Sequence, residues 1–149
     1  MIPVIRPATA ADLDAIVALC GEHAAFERAT FSAERARAAL GAFLFEKHPR
    51  AWCLVVEADE ILIGYATWSL EFSTWRASEY AHMDCLYLRD GYRNAGIGRE
   101  LIQRVFAASR QLGCAIVEWQ TPSWNRDAVR FYDRLGAVGS PKIRYRWTS

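Results

Sequence analysis

HMDCLYLRDGYRNAGIGRELIQRVFAASRQL, residues 82–112, is the stretch from which the rest of the chain is read. Met83, Cys85, Leu86, Tyr87 and Leu88 make a short, mostly apolar run, the pattern of a strand covered on both faces. Arg89-Asp90-Gly91 ends it with a turn signal. From Ile97 the apolar spacing turns helical through Leu101, Ile102, Val105 and Phe106, and Gly113 stands where a helix C-cap is expected. Between strand and helix lies Arg93-Asn94-Ala95-Gly96-Ile97-Gly98, a basic glycine loop. The first amides of a helix have no partner within it, and the helix dipole makes them partly positive. Such a loop suits a phosphate: Gly96 and Gly98 let a bulky anion approach the backbone, and Arg93 and Arg99 supply full charges.

Several readings of the loop compete. A Walker loop ends in Gly-Lys-Ser/Thr, which this segment lacks, and a dinucleotide fingerprint needs a third glycine where Leu101 stands. What remains, Arg-x-x-Gly-x-Gly after a strand, resembles the acyl-coenzyme A pyrophosphate loop of the GNAT acetyltransferase superfamily. The plain alternative is a glycine turn carrying exposed arginines.

The whole chain narrows the choice. Its 149 residues fit one domain, 1–149, and 52% hydrophobic against 23% charged residues predicts a globular core. A net charge of +1 provides no general field for nucleic acid or anionic lipid. No apolar run is long enough to span a membrane, and MIPVIRPATAADLD does not read as a secretory signal. Cys20, Cys53, Cys85 and Cys114 are widely spaced among apolar residues, as small core side chains of a cytoplasmic protein would be. His23, His48 and His82 have no close ligand spacing, so no metal is expected.

Taken in order, Val4 to Arg6 predicts a strand, and Thr9 to Asp12 a capping box opening a helix with Leu13, Ile16, Val17 and Cys20 on one face. Gly21 to Arg28 has no clear assignment. Ser32 caps a second helix from Ala33 to Leu44. Trp52–Glu57 and Ile61–Leu70 predict a hairpin about Asp59-Glu60, followed by a polar and aromatic loop from Glu71 to Tyr80. Ala115–Trp119 predicts a strand, Asn125–Leu135 a helix closed by Gly136, and Lys142–Trp147 a last strand. The expected order is β-α-α-β-β-β-α-β-α-β, a mixed α/β fold with a β-α-β crossover around the glycine loop.

Five segments in register are similar to one family. IRPATAAD, HPRAWCLVVE, LIGYATW, the Asp84 strand with YRNAGIG, and SWNRDAVRFYDRLGA resemble the spermidine/spermine (diamine) acetyltransferase branch of the GNAT superfamily. The resemblance implies that family's fold, a mostly antiparallel mixed sheet of six to seven strands with about four helices. It implies acetyl-coenzyme A as co-substrate and a homodimer, to which Trp147 and the loop aromatics could contribute an apolar patch. It also implies site roles. Leu86, Tyr87 and Leu88 would pair their backbone with the pantetheine arm. The amides of Asn94, Ala95, Gly96, Ile97 and Gly98, with Arg93 and Arg99, would hold the pyrophosphate. Asn125 would bond the pantetheine, Tyr132 would sit beside the thioester sulfur, Asp84 would stand at a glutamate position, and Glu27 would lie near the amine pocket.

Acetyl transfer to an amine has matching demands. An ammonium with a pKa near ~10.4 must lose a proton before its nitrogen attacks a thioester, which Asp84 could take directly or through water. The oxyanion needs a donor, such as the amide near Leu86, and the leaving thiolate needs a proton, such as that of Tyr132. Each residue has a duller reading beside this one. Tyr132 could be an inner-face aromatic, Asp84 a buried acceptor paired with an arginine, and Glu27 a solvated helix-end charge. Trp68, Phe72, Trp75 and Tyr80 line either the amine pocket or a core or dimer surface. Cys85 lacks a nearby base for a nucleophile's role. Arg76 and Arg89 place positive charge on the acceptor side, favouring a small or amino-acid-like amine with a carboxylate over a long polyamine. The rival functions are a protein N-terminal or lysine acetyltransferase and a non-catalytic acyl-coenzyme A binding module.

Overall fold

A computed structural model describes residues 2–149. Strand β1 (Val4–Pro7) leads through a 3-10 turn at Ala10–Asp12 into helices α1 (Leu13–Phe26) and α2 (Ala33–Phe45). Strands β2 (Trp52–Ala58), β3 (Ile61–Ser73) and β4 (Ser78–Leu88) follow, then α3 (Ile97–Gln111), β5 (Val117–Trp119) and α4 (Arg126–Leu135). The strands lie in the order β1-β2-β3-β4-β5, antiparallel except for the parallel pair β4–β5. The mixed α/β architecture and four helices agree with expectation; the sheet has five strands, not six or seven.

Two apolar layers sandwich the sheet. Ile16 and Leu19 of α1 and Leu44 of α2 pack with Cys53, Val55, Leu62 and Tyr65 on one face. On the other, Leu101 and Val105 of α3 pack with Leu54, Val56, Ile63, Ala66, Trp68 and Met83. Burial on both faces is why β2 and β3 read as continuous apolar runs. The first turn is fixed by Asp12, whose carboxylate accepts the Thr9 amide at 2.8 Å and both terminal nitrogens of Arg6 at 2.8 and 2.9 Å. Arg6 also binds Glu57 on β2, tying the start of the chain to the sheet. The Ser32 hydroxyl accepts the Arg35 amide, the expected cap of α2.

The segment left unassigned, Gly21 to Phe26, continues α1. Phe31 packs over Gly21 inside that helix, where an added Cβ would lie 3.4 Å from its ring, an ordinary contact. The expected loop from Glu71 to Tyr80 is instead the end of a long hairpin, with Glu71 opposite Tyr80 and Ser73 opposite Ser78. The Tyr80 hydroxyl donates to Glu71 across the strands at 2.9 Å, so polar pairs replace the apolar alternation by which a strand is usually read. Lys142–Trp147 forms no strand among the described residues. Its Ile143, Tyr145 and Trp147 face solvent, and Trp147 is 99% exposed.

One irregularity bears on function. Thr67 pairs with Cys85 and the next residue, Trp68, pairs with Met83, so Asp84 is an extra residue in β4 with no partner on β3. This β-bulge lies in the middle of β4, next to the edge strand β5.

Candidate active site

Strands β4 and β5 pair over three rungs, the last being Met83 opposite Trp119. There β5 ends, while β4 runs on through Leu86, Tyr87 and Leu88, still paired with Ala66, Tyr65 and Gly64 of β3. The side of β4 turned away from β3 therefore borders a wedge-shaped opening. Backbone groups along such an edge pair with an extended ligand as they would with another strand. Arg93 reaches back to close the end of the rail, its Nε donating to Leu88 O at 2.7 Å.

The glycine loop lies at that end. Gly91, Asn94 and Gly96 have φ of 89°, 64° and 83°, and Gly96 caps α3 from the left-handed region. A Cβ on Gly96 would meet nothing within 4 Å, so the approach to the first amides of α3 is open. Gly98 has a different task from the one expected. A Cβ there would lie 3.0 Å from Phe131 Cζ, so its bare backbone lets α3 and α4 approach. The two arginines also separate. Arg93 forms an ion pair with Asp90 at 2.9 Å and stacks over Phe26 and Tyr87, whereas Arg99 is exposed and belongs to no ion pair among the described residues.

The facing wall is α4 and the residues before it. Asn125 caps this helix, its Oδ1 accepting the Ala128 amide at 3.3 Å. Tyr132 sets its ring against Trp119 at 5.3 Å between centroids, at the point where β5 leaves β4. Burial, reinforced by the negative charge of Glu27, pushes the Tyr132 phenol up to about 12. The end of α1 completes the mouth, with Phe26 against Trp124 at 6.5 Å and Arg28 4.2 Å over the same indole. Sequence reasoning missed Phe26, Arg28, Trp119, Trp124, Glu22 and His23. The i,i+4 spacing of His23 and Glu27 was the available signal, but it depends on extending α1 past Gly21.

Asp84 corrects an expectation. It was read as a buried carboxylate in an apolar strand, but the bulge turns it outward, leaving its side chain 74% exposed. Its neighbours are His82, 4.0 Å away, and the Cys85 thiol, which donates at 3.5 Å. Burial and the Asp84 charge push Cys85 up to about 12, so it is a protonated core thiol at neutral pH. Trp75 is not brought to the cleft: it lies at the tip of the β3–β4 hairpin, 98% exposed, roughly ~20 Å of strand from Asp84. Trp68 belongs to the core, Phe72 is exposed, and Tyr80 is engaged with Glu71.

The positive charge expected on the acceptor side is cancelled. Arg89 donates to Glu22 at 2.6, 3.0 and 3.2 Å, and Arg76 pairs with Glu118 at 3.3 Å while stacking over Tyr80. Glu27 and Asp84, by contrast, have no arginine or lysine partner among the described residues; their neighbours are His23 and His82. A cationic acceptor suits such a wall. No helix is long and apolar enough to cross a membrane among the described residues.

Comparison with known proteins places the chain among acetyltransferases. The profile described as the acetyltransferase (GNAT) family matches residues 16–137. A thialysine N-epsilon-acetyltransferase of Mus musculus is 29% identical over 141 residues, covering 89% of this chain and 82% of that protein. A spermidine/spermine N(1)-acetyltransferase-like protein 1 of Homo sapiens is 25% identical over 90% of this chain, which spans 20% of that longer protein. Among solved structures, an aminoglycoside N-acetyltransferase in complex with CoA superposes with a TM-score of 0.85 at 16% identity, covering 99% of this chain and 95% of that one. At that identity the likeness shows the fold.

Proposed function

This chain belongs to the acetyltransferase (GNAT) family, and from that premise we propose that it transfers the acetyl group of acetyl-coenzyme A to the primary amine of a small molecule. One observation supports the reading: beyond Met83–Trp119, where Tyr132 packs on Trp119, β4 runs on to the glycine loop with no strand partner among the described residues on the side away from β3. Leu86, Tyr87 and Leu88 pair with the pantetheine arm, and Arg99 and the amides around Gly96 take the pyrophosphate. Asn125, already engaged as a helix cap, lies beside the arm.

At the other end, the Asp84 and Glu27 carboxylates attract the acceptor ammonium, and Asp84, directly or through water, takes its proton. The amine nitrogen then attacks the thioester carbonyl, with the strand amide near Leu86 facing the oxyanion. Tyr132 stands by the departing sulfur. At about 12 its phenol is a weaker acid than a thiol near ~8.5, so its first contribution is a hydrogen bond to the growing thiolate. The cancelled charges of Arg76 and Arg89 remove the reason to require a carboxylate on the acceptor. Diamines and amino-acid amines are both admitted, in keeping with the relatives named for thialysine and for spermidine/spermine.

The protein works in the cytoplasm as a homodimer. Four unpaired thiols support a reducing compartment. Ile143, Tyr145 and Trp147 alternate with Arg144 and Arg146, a strand pattern that pairs with no strand among the described residues and with which a second copy can pair. Coenzyme A release, measured with acetyl-coenzyme A against polyamines, basic amino acids, aminoglycosides and amino-terminal peptides, tests the reading. A free small amine is expected to turn over fastest. Peptides outcompeting it would point to a protein acetyltransferase. Silence with acetyl-coenzyme A still bound in calorimetry would point to a binding module.

A further inference from the structure

His23 is three-quarters of the way along α1, with its side chain only 12% exposed, and the chemistry above leaves it unused. Both ring nitrogens are engaged. Nε2 lies 2.5 Å from the Glu27 carboxylate one turn on, and Nδ1 lies 2.9 Å from the hydroxyl of Tyr65. The ring is stacked on Tyr87 at 5.2 Å and 22°, and Tyr65 presents its edge from the other side at 5.9 Å. Glu27 accepts only, so Nε2 carries a proton. Nδ1 exchanges a hydrogen bond with the buried Tyr65 hydroxyl. One ring orientation serves both neighbours.

The comparison that matters is with Glu22, on the same helix. Its carboxylate is held by the Arg89 guanidinium, with a further hydrogen bond from Tyr87, so its charge is cancelled where it sits. Glu27 is held instead by the His23 imidazole, with no arginine or lysine partner among the described residues. Its side chain is 30% exposed and its charge is felt at Tyr132. Phe26 and Arg28, on either side of it, pack on Trp124 and fix the helix end to the opposite wall.

We propose that His23 is a positioning residue of the acceptor pocket, holding the Glu27 carboxylate in a fixed place to receive the ammonium of the amine. Tyr65 and Tyr87 hold the imidazole, the imidazole holds the carboxylate, and the carboxylate meets the substrate. This rests on the small-amine reading above and adds the residue that sets where the cation binds.

The test uses the full chain and the best amine from the coenzyme A release panel. His23→Leu removes the donor; His23→Gln keeps a donor at the Nε2 position. His23→Leu is expected to raise the KM of the amine by about tenfold or more, as loss of a hydrogen bond to a charged group does, while the KM of acetyl-coenzyme A stays within about twofold. His23→Gln is expected to recover most of the loss. His23→Leu added to Glu27→Gln should cost nothing more than Glu27→Gln alone. An unchanged amine KM in His23→Leu, a parallel rise in both KM values, or additive losses in the double variant would overturn the assignment. Should His23→Leu fail to fold, His23→Gln and the Glu27→Gln pairing with it decide on the same criteria. A wild-type chain inert towards every amine would instead sink the small-amine reading, and this assignment with it.

Discussion

Gly64 lies so close to Leu88 that a Cβ built on it would stand 2.4 Å from Leu88 Cδ2 and 2.6 Å from the carbonyl oxygen of Tyr87. The second contact is with backbone, which cannot rotate away. Gly64→Ala must therefore push β3 and β4 apart at the segment proposed to bind pantetheine. A loss of about 1–3 kcal/mol in stability is expected, with a rise of severalfold in the KM of acetyl-coenzyme A. Gly98→Ala makes a contrast: its new methyl meets the edge of the Phe131 ring, which can shift by a few tenths of an ångström. Thermal melts of the two variants should rank them in that order.

Gly96→Ala probes the anion site without a packing clash. The position has φ of 83°, which an alanine adopts at a cost of roughly 1 kcal/mol, and its Cβ would project into the open space above the helix amides. The KM of acetyl-coenzyme A should rise about tenfold, with kcat at saturation close to wild type. A fall in kcat with KM unchanged would place the pyrophosphate elsewhere.

Tyr132→Phe should lower kcat about 10- to 100-fold while acetyl-coenzyme A still binds within about twofold of wild type. Burial holds the phenol at about 12, above its ordinary 10, so its proton stays on as pH rises through the range in which enzymes are assayed. Any alkaline decline in kcat below about pH 11 should therefore appear in wild type and variant alike. A limb that disappears in Tyr132→Phe would contradict that.

Asp12 supplies the acid-stability prediction. Hydrogen bonds from Arg6 and then from Thr9, partly opposed by burial, hold its carboxyl at about 2, below the ordinary ~3.9. A lowered pKa in the folded state means stabilisation that is complete above about pH 4 and lost as pH falls through about 2. Asp12→Asn should cost about 2 kcal/mol at pH 7, and urea unfolding at pH 7, 4 and 2 should show the gap closing only at the lowest pH. A pH-independent gap would assign the loss to geometry instead of charge.

What the sequence disclosed followed from how local the signals were. Leu86 to Leu101 announces strand, loop and helix within one short stretch, because each element carries its own period and Gly96 marks the junction. The second half of α1 is illegible because Gly21, a poor helix former, interrupts the apolar spacing there. The arms of the β3–β4 hairpin carry polar pairs such as Glu71–Tyr80, which give no amphipathic alternation. For the candidate site, Tyr132 and Asp84 are singled out by the family resemblance; by residue type alone Tyr132 reads as an inner-face aromatic. That Arg89 is cancelled by Glu22, or that His23 faces Tyr65, depends on bringing α1 over the sheet, and no local pattern encodes that.

Asp84 also changes the parity of its strand. Before it, the odd-numbered Ala81 and Met83 face α3; after it, the even-numbered Leu86 and Leu88 do, while Cys85 and Tyr87 face α1 and α2. One unpaired residue thus works like a frameshift in the side-chain alternation. Replacing Asp84 alters chemistry at one position, whereas deleting it would remove the bulge itself: Met83 and Cys85 would become neighbours in regular register, Cys85 to Leu88 would keep their faces, and the kink that turns a carboxylate outward would be lost. At this position the count of residues is as much a part of the site as the identity of the side chain.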